Sequence, residues 1–192
     1  MPSNNLKNMV HKTTKTENDI RHKLEKVVVN VGVGRLSQIA GFEEKGLVQV
    51  MKDVSMMTGQ KPQVARAKKS VAGFKIREGQ IVGVRVTLRG KKMVDFFERF
   101  IRIVLPRVHD FRGLSQDSVD KGGVLNVGLR EQFVFPELSP EESPLTFPFG
   151  VNIVPHIKNK EKAMEMYRVM GVPFMRENEA VRGKKRRKKK DN

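Results

Sequence analysis

Lysine and arginine recur in short runs along this chain, at 61–69, 75–77, 85–92 and 107–112, and again at 182–190, where every position except 183 is basic. Side chains of that type neutralise phosphates. A solvated face would explain any one run alone. Together they give a formal net charge of +17, from 38 Lys and Arg against 21 Asp and Glu in 192 residues. Without 182–192, which holds eight basic residues and one Asp, the body still carries +10. Such a field attracts polyanions. Aromatics are only 6% of the chain and Trp is absent, so recognition of folded RNA by shape and backbone fits better than stacking on single-stranded bases.

Other chemistries find little support. Gly32-Val-Gly34 follows a strand-like run, as in a dinucleotide fingerprint, but Ser37 stands where the third glycine belongs and no acidic residue follows at the required distance. His11, His22, His109 and His156 lack the local pairing of many zinc sites, and there is no cysteine for a disulfide or thiolate ligand. The acidic pairs Glu43-Glu44 and Glu141-Glu142 lie in polar contexts, whereas acid–base catalysis needs carboxylates in a cleft. No nucleophile motif is present, so no enzyme activity, metal or cofactor is expected. No apolar run nears the roughly 20 residues of a membrane span, and an intracellular, soluble protein without a membrane partner is expected.

The basic residues must be positioned by a folded scaffold. Residues 1–25 read as a loose arm and 26–34 as a buried strand. The spacing of Leu47, Val50, Met51, Val54 and Met57 predicts a helix over 43–57, with Gly59 as its left-handed cap. Residues 60–70 are extended, and 73–79 form an exposed loop with apolar Phe74 at its start. Residues 80–88 alternate as a half-buried strand, with Arg85 and Thr87 on the face away from the core. An amphipathic helix over 91–104 should be stopped by Pro106. A long loop over 108–123 precedes strand-like 124–135, a proline-rich loop over 137–150, a strand over 151–157 and a helix capped by Asn159 and closed by Gly171. No internal repeat is visible.

Six strings carry a family resemblance: Val29-Asn-Val-Gly-Val-Gly34, Thr58-Gly-Gln-Lys-Pro62, Ala67-Lys-Lys-Ser-Val-Ala-Gly-Phe-Lys-Ile-Arg-Glu-Gly79, Val86-Thr-Leu-Arg-Gly90, Leu105-Pro-Arg-Val-His-Asp-Phe-Arg-Gly-Leu-Ser115 and Arg130-Glu-Gln-Phe-Val-Phe-Pro-Glu137. In order and spacing the chain resembles the bacterial-type large-subunit ribosomal protein five over residues 26–174. The resemblance implies an α+β fold, a curved, mostly antiparallel sheet with helices packed on one face, in a single domain over 26–174 flanked by flexible tails at 1–25 and 175–192. It also implies a structural role in the cytoplasmic ribosome, in the central protuberance of the large subunit. The implied partners are 5S rRNA, 23S-type rRNA, P-site tRNA, neighbouring central-protuberance proteins and a small-subunit head protein.

By the family's pattern Asn30, Gln60 and Thr87 match polar residues of the 5S rRNA surface, with Lys61, Arg66, Lys68 and Lys69 beside them. Phe74, Lys75, Ile76 and Arg77 match a finger toward P-site tRNA, where Lys offers a point charge and Arg a bidentate fork. Arg112, Gly113, Leu114 and Ser115 match an intersubunit bridge. Three features depart from the pattern: residues 1–25 match an expected N-terminal helix poorly, Asp120-Lys-Gly-Gly-Val-Leu-Asn126 lacks the arginine and aromatic usual in that loop, and the proline-rich 139–149 differs. The basic tail, with Lys184, Lys185, Arg186, Arg187 and Lys188, is an addition for which rRNA binding is expected and a nuclear-localisation signal is the competing reading. The competing functions are an extraribosomal RNA-binding regulator and a basic RNA-processing enzyme.

Overall fold

β-branched residues fit a pleated, half-buried surface, and in β1 (Leu24–Gly32) Val27, Val29 and Val31 are buried while Asn30 and Gly32 lie exposed between and beyond them. The computed structural model describes residues 20–34, 36–38 and 41–175. In it β1 is central, pairing antiparallel with β3 (Ile81–Leu88) on one side and β5 (Phe149–Pro155) on the other. β2 (Gln63–Arg66) pairs with the far edge of β3, and β4 (Leu125–Leu129) with the far edge of β5. The sheet is therefore β2-β3-β1-β5-β4, antiparallel at every step.

Among the described residues, three longer helices supply the second layer. α1 (Leu47–Thr58) follows a π-helical turn at Phe42–Gly46, buries Val50, Val54 and Met57, and ends on Gly59 at φ 64°. α2 (Gly90–Arg99) buries Met93, Val94, Phe96 and Phe97, and α3 (Lys160–Val169) buries Ala163, Met166 and Tyr167. Asn159 caps α3 by accepting from the backbone N–H groups of Glu161 and Lys162, satisfying donors that a helix start leaves orphaned. Under the helices the Phe96 ring neighbours those of Phe100 and Phe135 at 5.9 and 6.0 Å, and Phe135 lies 5.6 Å from Phe149. Such ring pairs each add about 0.5–1.5 kcal/mol beyond their buried area.

The structure corrects four expectations. Ile20 and Leu24 belong to the core, so the folded unit starts ahead of residue 26. Pro106 does not stop the 91–104 helix outright: α2 runs into a π-helical turn at Phe100–Val104 and a 3-10 turn at Leu105–Arg107, where the proline sits early enough to need no hydrogen-bonded N–H. The strand expected over 124–135 ends at Leu129, and Gln132–Val134 is a 3-10 turn. Its cause is Gln132, which is buried, donates to Leu145 O and accepts from Phe147 N; this side chain, rather than a strand ladder, holds the neighbouring backbone. Finally, β5 takes in Phe149 and Gly150 from the end of the proline-rich stretch.

That stretch is pinned a second time. The Ser143 hydroxyl donates to the buried carboxylate of Asp53 on α1, and Gln49 Nε2 donates to the same group at 2.8 Å and to Glu142 O at 3.2 Å. Burial pushes the Asp53 carboxyl above the usual carboxylate range, against the two hydrogen bonds that pull it down. A raised folded-state value contributes stability that is fully present below the ordinary Asp pKa of about 3.9 and is lost as pH rises through the folded value. The unfolding free energy of wild type minus that of Asp53→Asn, measured in urea at pH 7 and pH 4.5, should therefore shift in favour of the wild type on acidification. A pH-independent difference would show that Asp53 titrates normally.

Candidate nucleic-acid interface

Because side chains alternate across a strand, the residues between the buried valines collect on the sheet face that the helices leave open. The register defines two rows. One runs Gln63, Arg85, Asn30, Gly150, Gly128 and the next Thr87, Val28, Asn152, Asn126. Asn30 Nδ2 donates to Asn152 Oδ1 at 2.6 Å, Asn152 Nδ2 donates to Asn126 Oδ1 at 2.5 Å, and Asn126 Nδ2 donates to Val124 O at 3.3 Å. These three amides form a ladder over β1, β5 and β4. Each amide has two donors and two acceptor lone pairs, so the ladder fixes orientation while leaving hydrogen-bonding capacity on the open side.

Around the ladder the face is bare. A Cβ built on Gly32 or Gly128 would meet nothing within 4 Å, and on Gly150 only Val127 O at 3.9 Å. None of the three has a positive φ. Glycine within a strand weakens it, and here neither backbone conformation nor internal packing demands it. Gly83 is different, since its Cβ would lie 2.9 Å from Val31 O. The three unconstrained glycines leave the main chain open to close approach by something outside the protein.

The flank of this face toward β2 is basic and amide-rich. Arg85 is exposed at the centre of β3, and Gln60 Nε2 donates to the backbone carbonyl of Thr87 at 3.2 Å, which brings Gln60 and Thr87 together, while Asn30 lies opposite Arg85 on the same face with its amide donating to Asn152. Lys61, Lys68 and Lys69 are exposed. Arg66 is exposed as well, with Nη1 donating to Gly79 O at 3.0 Å at the base of the following segment. Sequence reasoning missed Asn126, Asn152, Gly128 and Gly150. Their signal was the same period of two that exposed Arg85 and Thr87.

The 67–80 segment is a finger between β2 and β3. Its base is closed by Ala67 N–H to Gln80 O at 2.8 Å and Gly79 N–H to Ala67 O at 2.9 Å, and its waist by reciprocal bonds between Val71 and Ile76. A 3-10 turn at Ala72–Phe74 and Lys75 at φ 52° form the tip. Phe74 is 74% exposed, Lys75 and Arg77 are exposed, and Ile76 is half-buried. The tip thus holds one large apolar ring outward beside two exposed cations.

The 112–115 segment is divided. Leu114 is buried and belongs to the core, its N–H donates to Pro173 O at 2.7 Å, and its carbonyl accepts from Met175 N at 2.9 Å. Gly113, at φ 107°, could take no Cβ, which would lie 2.8 Å from Met175 N. These two residues fasten the 173–175 strap instead of facing outward. Arg112 is exposed, and the half-buried Ser115 accepts from Asp117 N–H at 3.2 Å. Lys184, Lys185, Arg186, Arg187 and Lys188 lie outside the described residues. Among the described residues no group of three His, Asp or Glu side chains could hold a metal ion, and no helix is long and apolar enough to cross a membrane.

Comparison with known proteins agrees with this architecture. A family model described as Ribosomal protein L5 matches residues 21–77, and a second model, for the C-terminus of the same ribosomal family, matches 81–174. The large ribosomal subunit protein uL5 of Chlorobaculum tepidum is 45% identical over 157 residues, covering 82% of this chain and 84% of the relative. The chain belongs to the ribosomal protein L5 family. The uL5 proteins of Rubrobacter xylanophilus and Carboxydothermus hydrogenoformans are 49% and 46% identical over 151 and 154 residues, covering 79% and 80% of this chain and 82% and 84% of the relatives. As an L5 family member it is a structural, RNA-binding ribosomal protein and not an enzyme. The break between the two family matches is no domain boundary, because β1 from the first pairs on both sides with strands of the second.

Proposed function

We propose that this L5 family member is a structural constituent of the large ribosomal subunit that holds 5S rRNA against the open face of its sheet. The observation that carries the reading is that face itself: an amide ladder flanked by glycines the fold does not require, with Arg85 and Gln63 beside it. Amides read riboses, phosphates and base edges, and a wide, shallow A-form minor groove suits a flat platform. The finger, at its 73–79 tip, reaches P-site tRNA through Phe74, Lys75, Ile76 and Arg77, and the 112–123 segment, with Arg112 outward, meets a small-subunit head protein. In the cytoplasmic ribosome the same protein lies beside 23S-type rRNA and other central-protuberance proteins. Its action is positional, with no bond made or broken.

A gel-shift titration with 5S rRNA tests the main claim. The combined Asn30→Ala, Asn126→Ala and Asn152→Ala variant should bind about 100-fold more weakly or worse, since each of three lost specific contacts is worth roughly 1–3 kcal/mol. Lys75→Glu with Arg77→Glu, in the same titration, should leave 5S affinity within about threefold and lower P-site tRNA occupancy on assembled ribosomes, because exposed charges off the contact surface act only through a screened field. Wild-type affinity in the ladder variant would move the RNA surface elsewhere.

A further inference from the structure

Beyond β2 and β3 the 67–80 finger continues as a two-stranded ribbon, and such a ribbon is marginal without further support. On the β2 side that support is thin: β2 is four residues long, lies at the sheet edge and slips register between Ala65 and Arg66. The β3 side is braced by a single residue. Gln80 donates its N–H to Arg77 O at 3.2 Å, closing a turn in which Gly79 has φ 80°, and its Oε1 accepts from Arg77 N–H at 3.0 Å. Both main-chain groups of Arg77 are therefore held by one side chain and its backbone. Gln80 Nε2 then leaves the finger and donates to the Ser37 hydroxyl at 3.1 Å, across 43 residues of sequence. Among the described residues this is the one hydrogen bond that joins the 67–80 segment to an element other than β2 and β3.

Ser37 is a fixed anchor. Its N–H donates to Val33 O at 2.8 Å and its hydroxyl to Gly34 O at 3.0 Å, while Val33 is fully buried and donates to Val82 O at 3.1 Å. A hydroxyl has one proton and two lone pairs, so bonding Gly34 with the proton leaves the lone pairs for Gln80. Through Val33 the anchor is continuous with β1, which carries Asn30 on the open face. We propose that Gln80 is a positioning residue: acting through Ser37, it sets the angle at which Phe74, Lys75 and Arg77 leave the sheet. The proposal rests on the reading of the finger as the P-site tRNA contact, and adds the brace that aims it. Gln80 is half-buried at the base of the finger, away from the tip that meets tRNA. An unbraced finger samples many angles, and only the competent fraction binds, which weakens tRNA binding without removing a contact.

The test compares the rate at which P-site tRNA leaves ribosomes assembled with the full-length wild-type chain, Ser37→Ala, Gln80→Leu, both together, or Ser37→Thr. Ser37 lies off the finger, yet Ser37→Ala should speed dissociation about threefold to tenfold, the limit set by one neutral hydrogen bond. Gln80→Leu should do at least as much, and the pair no more than Gln80→Leu alone, because both act on one connection. Ser37→Thr keeps the hydroxyl and should restore the wild-type rate, and 5S rRNA affinity should be unchanged in every variant. Amide hydrogen exchange on the free chain separates swinging from melting: Arg77 N–H should exchange faster in Gln80→Leu, which removes its acceptor, and as in wild type in Ser37→Ala. Faster Arg77 exchange in Ser37→Ala would mean that the finger unfolds and would overturn the proposal, as would a Ser37→Thr ribosome that releases tRNA as fast as Ser37→Ala. Wild-type release from Ser37→Ala and Gln80→Leu ribosomes, with release still accelerated by Lys75→Glu and Arg77→Glu, would remove the brace and leave the finger reading standing. Wild-type release from the charge-reversed ribosomes as well would sink both.

Discussion

Valine at both Gly128 and Gly150 is expected to weaken 5S rRNA binding by about 100-fold or more, the equivalent of two lost contacts at roughly 1–3 kcal/mol each, with no loss of thermal stability. The two glycines face each other across β4 and β5, flanking the Asn126–Asn152 rung of the ladder. Built Cβ atoms there meet no protein atom closer than 3.9 Å, so a branch at either position starts from the backbone without a clash. Valine also favours the strand by up to about 1 kcal/mol over glycine. The methyl groups would stand above the platform where an RNA backbone must approach the main chain. Filter binding and a circular-dichroism melt on the same sample check both halves. Wild-type affinity in the folded variant would mean that the open face is not the RNA surface. Gly83→Val provides the contrast: its Cβ would press on Val31 O at 2.9 Å, so stability should fall along with binding.

The same geometry shows why part of this site was legible in the sequence and part was not. Alternation within β3 was enough to assign Arg85 and Thr87 to the face opposite Val84, Val86 and Leu88, and local capping signals at Gly59 and Asn159 marked helix ends where they occur. Periodicity tells which face a residue takes within its own strand. It does not tell which strands are neighbours. Asn30 meets Asn152 only because β1 sits between β3 and β5, across 122 residues of sequence, so the face each residue takes could be read from its own strand but their assembly into a ladder could not. The buried Asp53–Ser143 contact spans 90 residues in the same way.

Single residues also overrode local patterns. Residues 124–135 have strand-like composition, yet Gln132 bonds Leu145 O and Phe147 N, and a satisfied buried amide outweighs a weak propensity. Leu114 matched an outward-facing segment by motif, but burial of its side chain gives it to the strap. Family resemblance assigned that stretch as a unit, whereas packing divides it residue by residue.

The largest effect on stability is expected at Gly123. Its φ of 83° is one that an L side chain rarely adopts, and a Cβ there would meet Ile157 O at 2.8 Å and Ala163 Cβ at 2.9 Å, so the first turn of α3 rests directly on this backbone. The Tyr167 hydroxyl, fully buried on the same helix, lies 3.0 Å from both Gly123 O and Ile153 O and shares its one proton between them. That hydroxyl joins α3, β5 and the turn into β4, and Asp120 completes the turn by accepting from Val124 N–H at 2.8 Å. Tyr167→Phe removes the donor and should cost about 1–3 kcal/mol, the price of leaving buried carbonyls unpaired. Gly123→Val combines overpacking with a disfavoured backbone and should cost about 3–5 kcal/mol, lowering Tm by roughly 10 °C or more for a domain of this size. Because Asn126 and Gly128 follow directly from this turn, partial loosening of β4 should weaken 5S rRNA binding at temperatures where the rest of the sheet is still folded. A Gly123→Val protein that melts with the wild type would refute the close packing of α3 on the turn, and one that melts early yet binds 5S rRNA normally below its melt would remove β4 from the RNA surface.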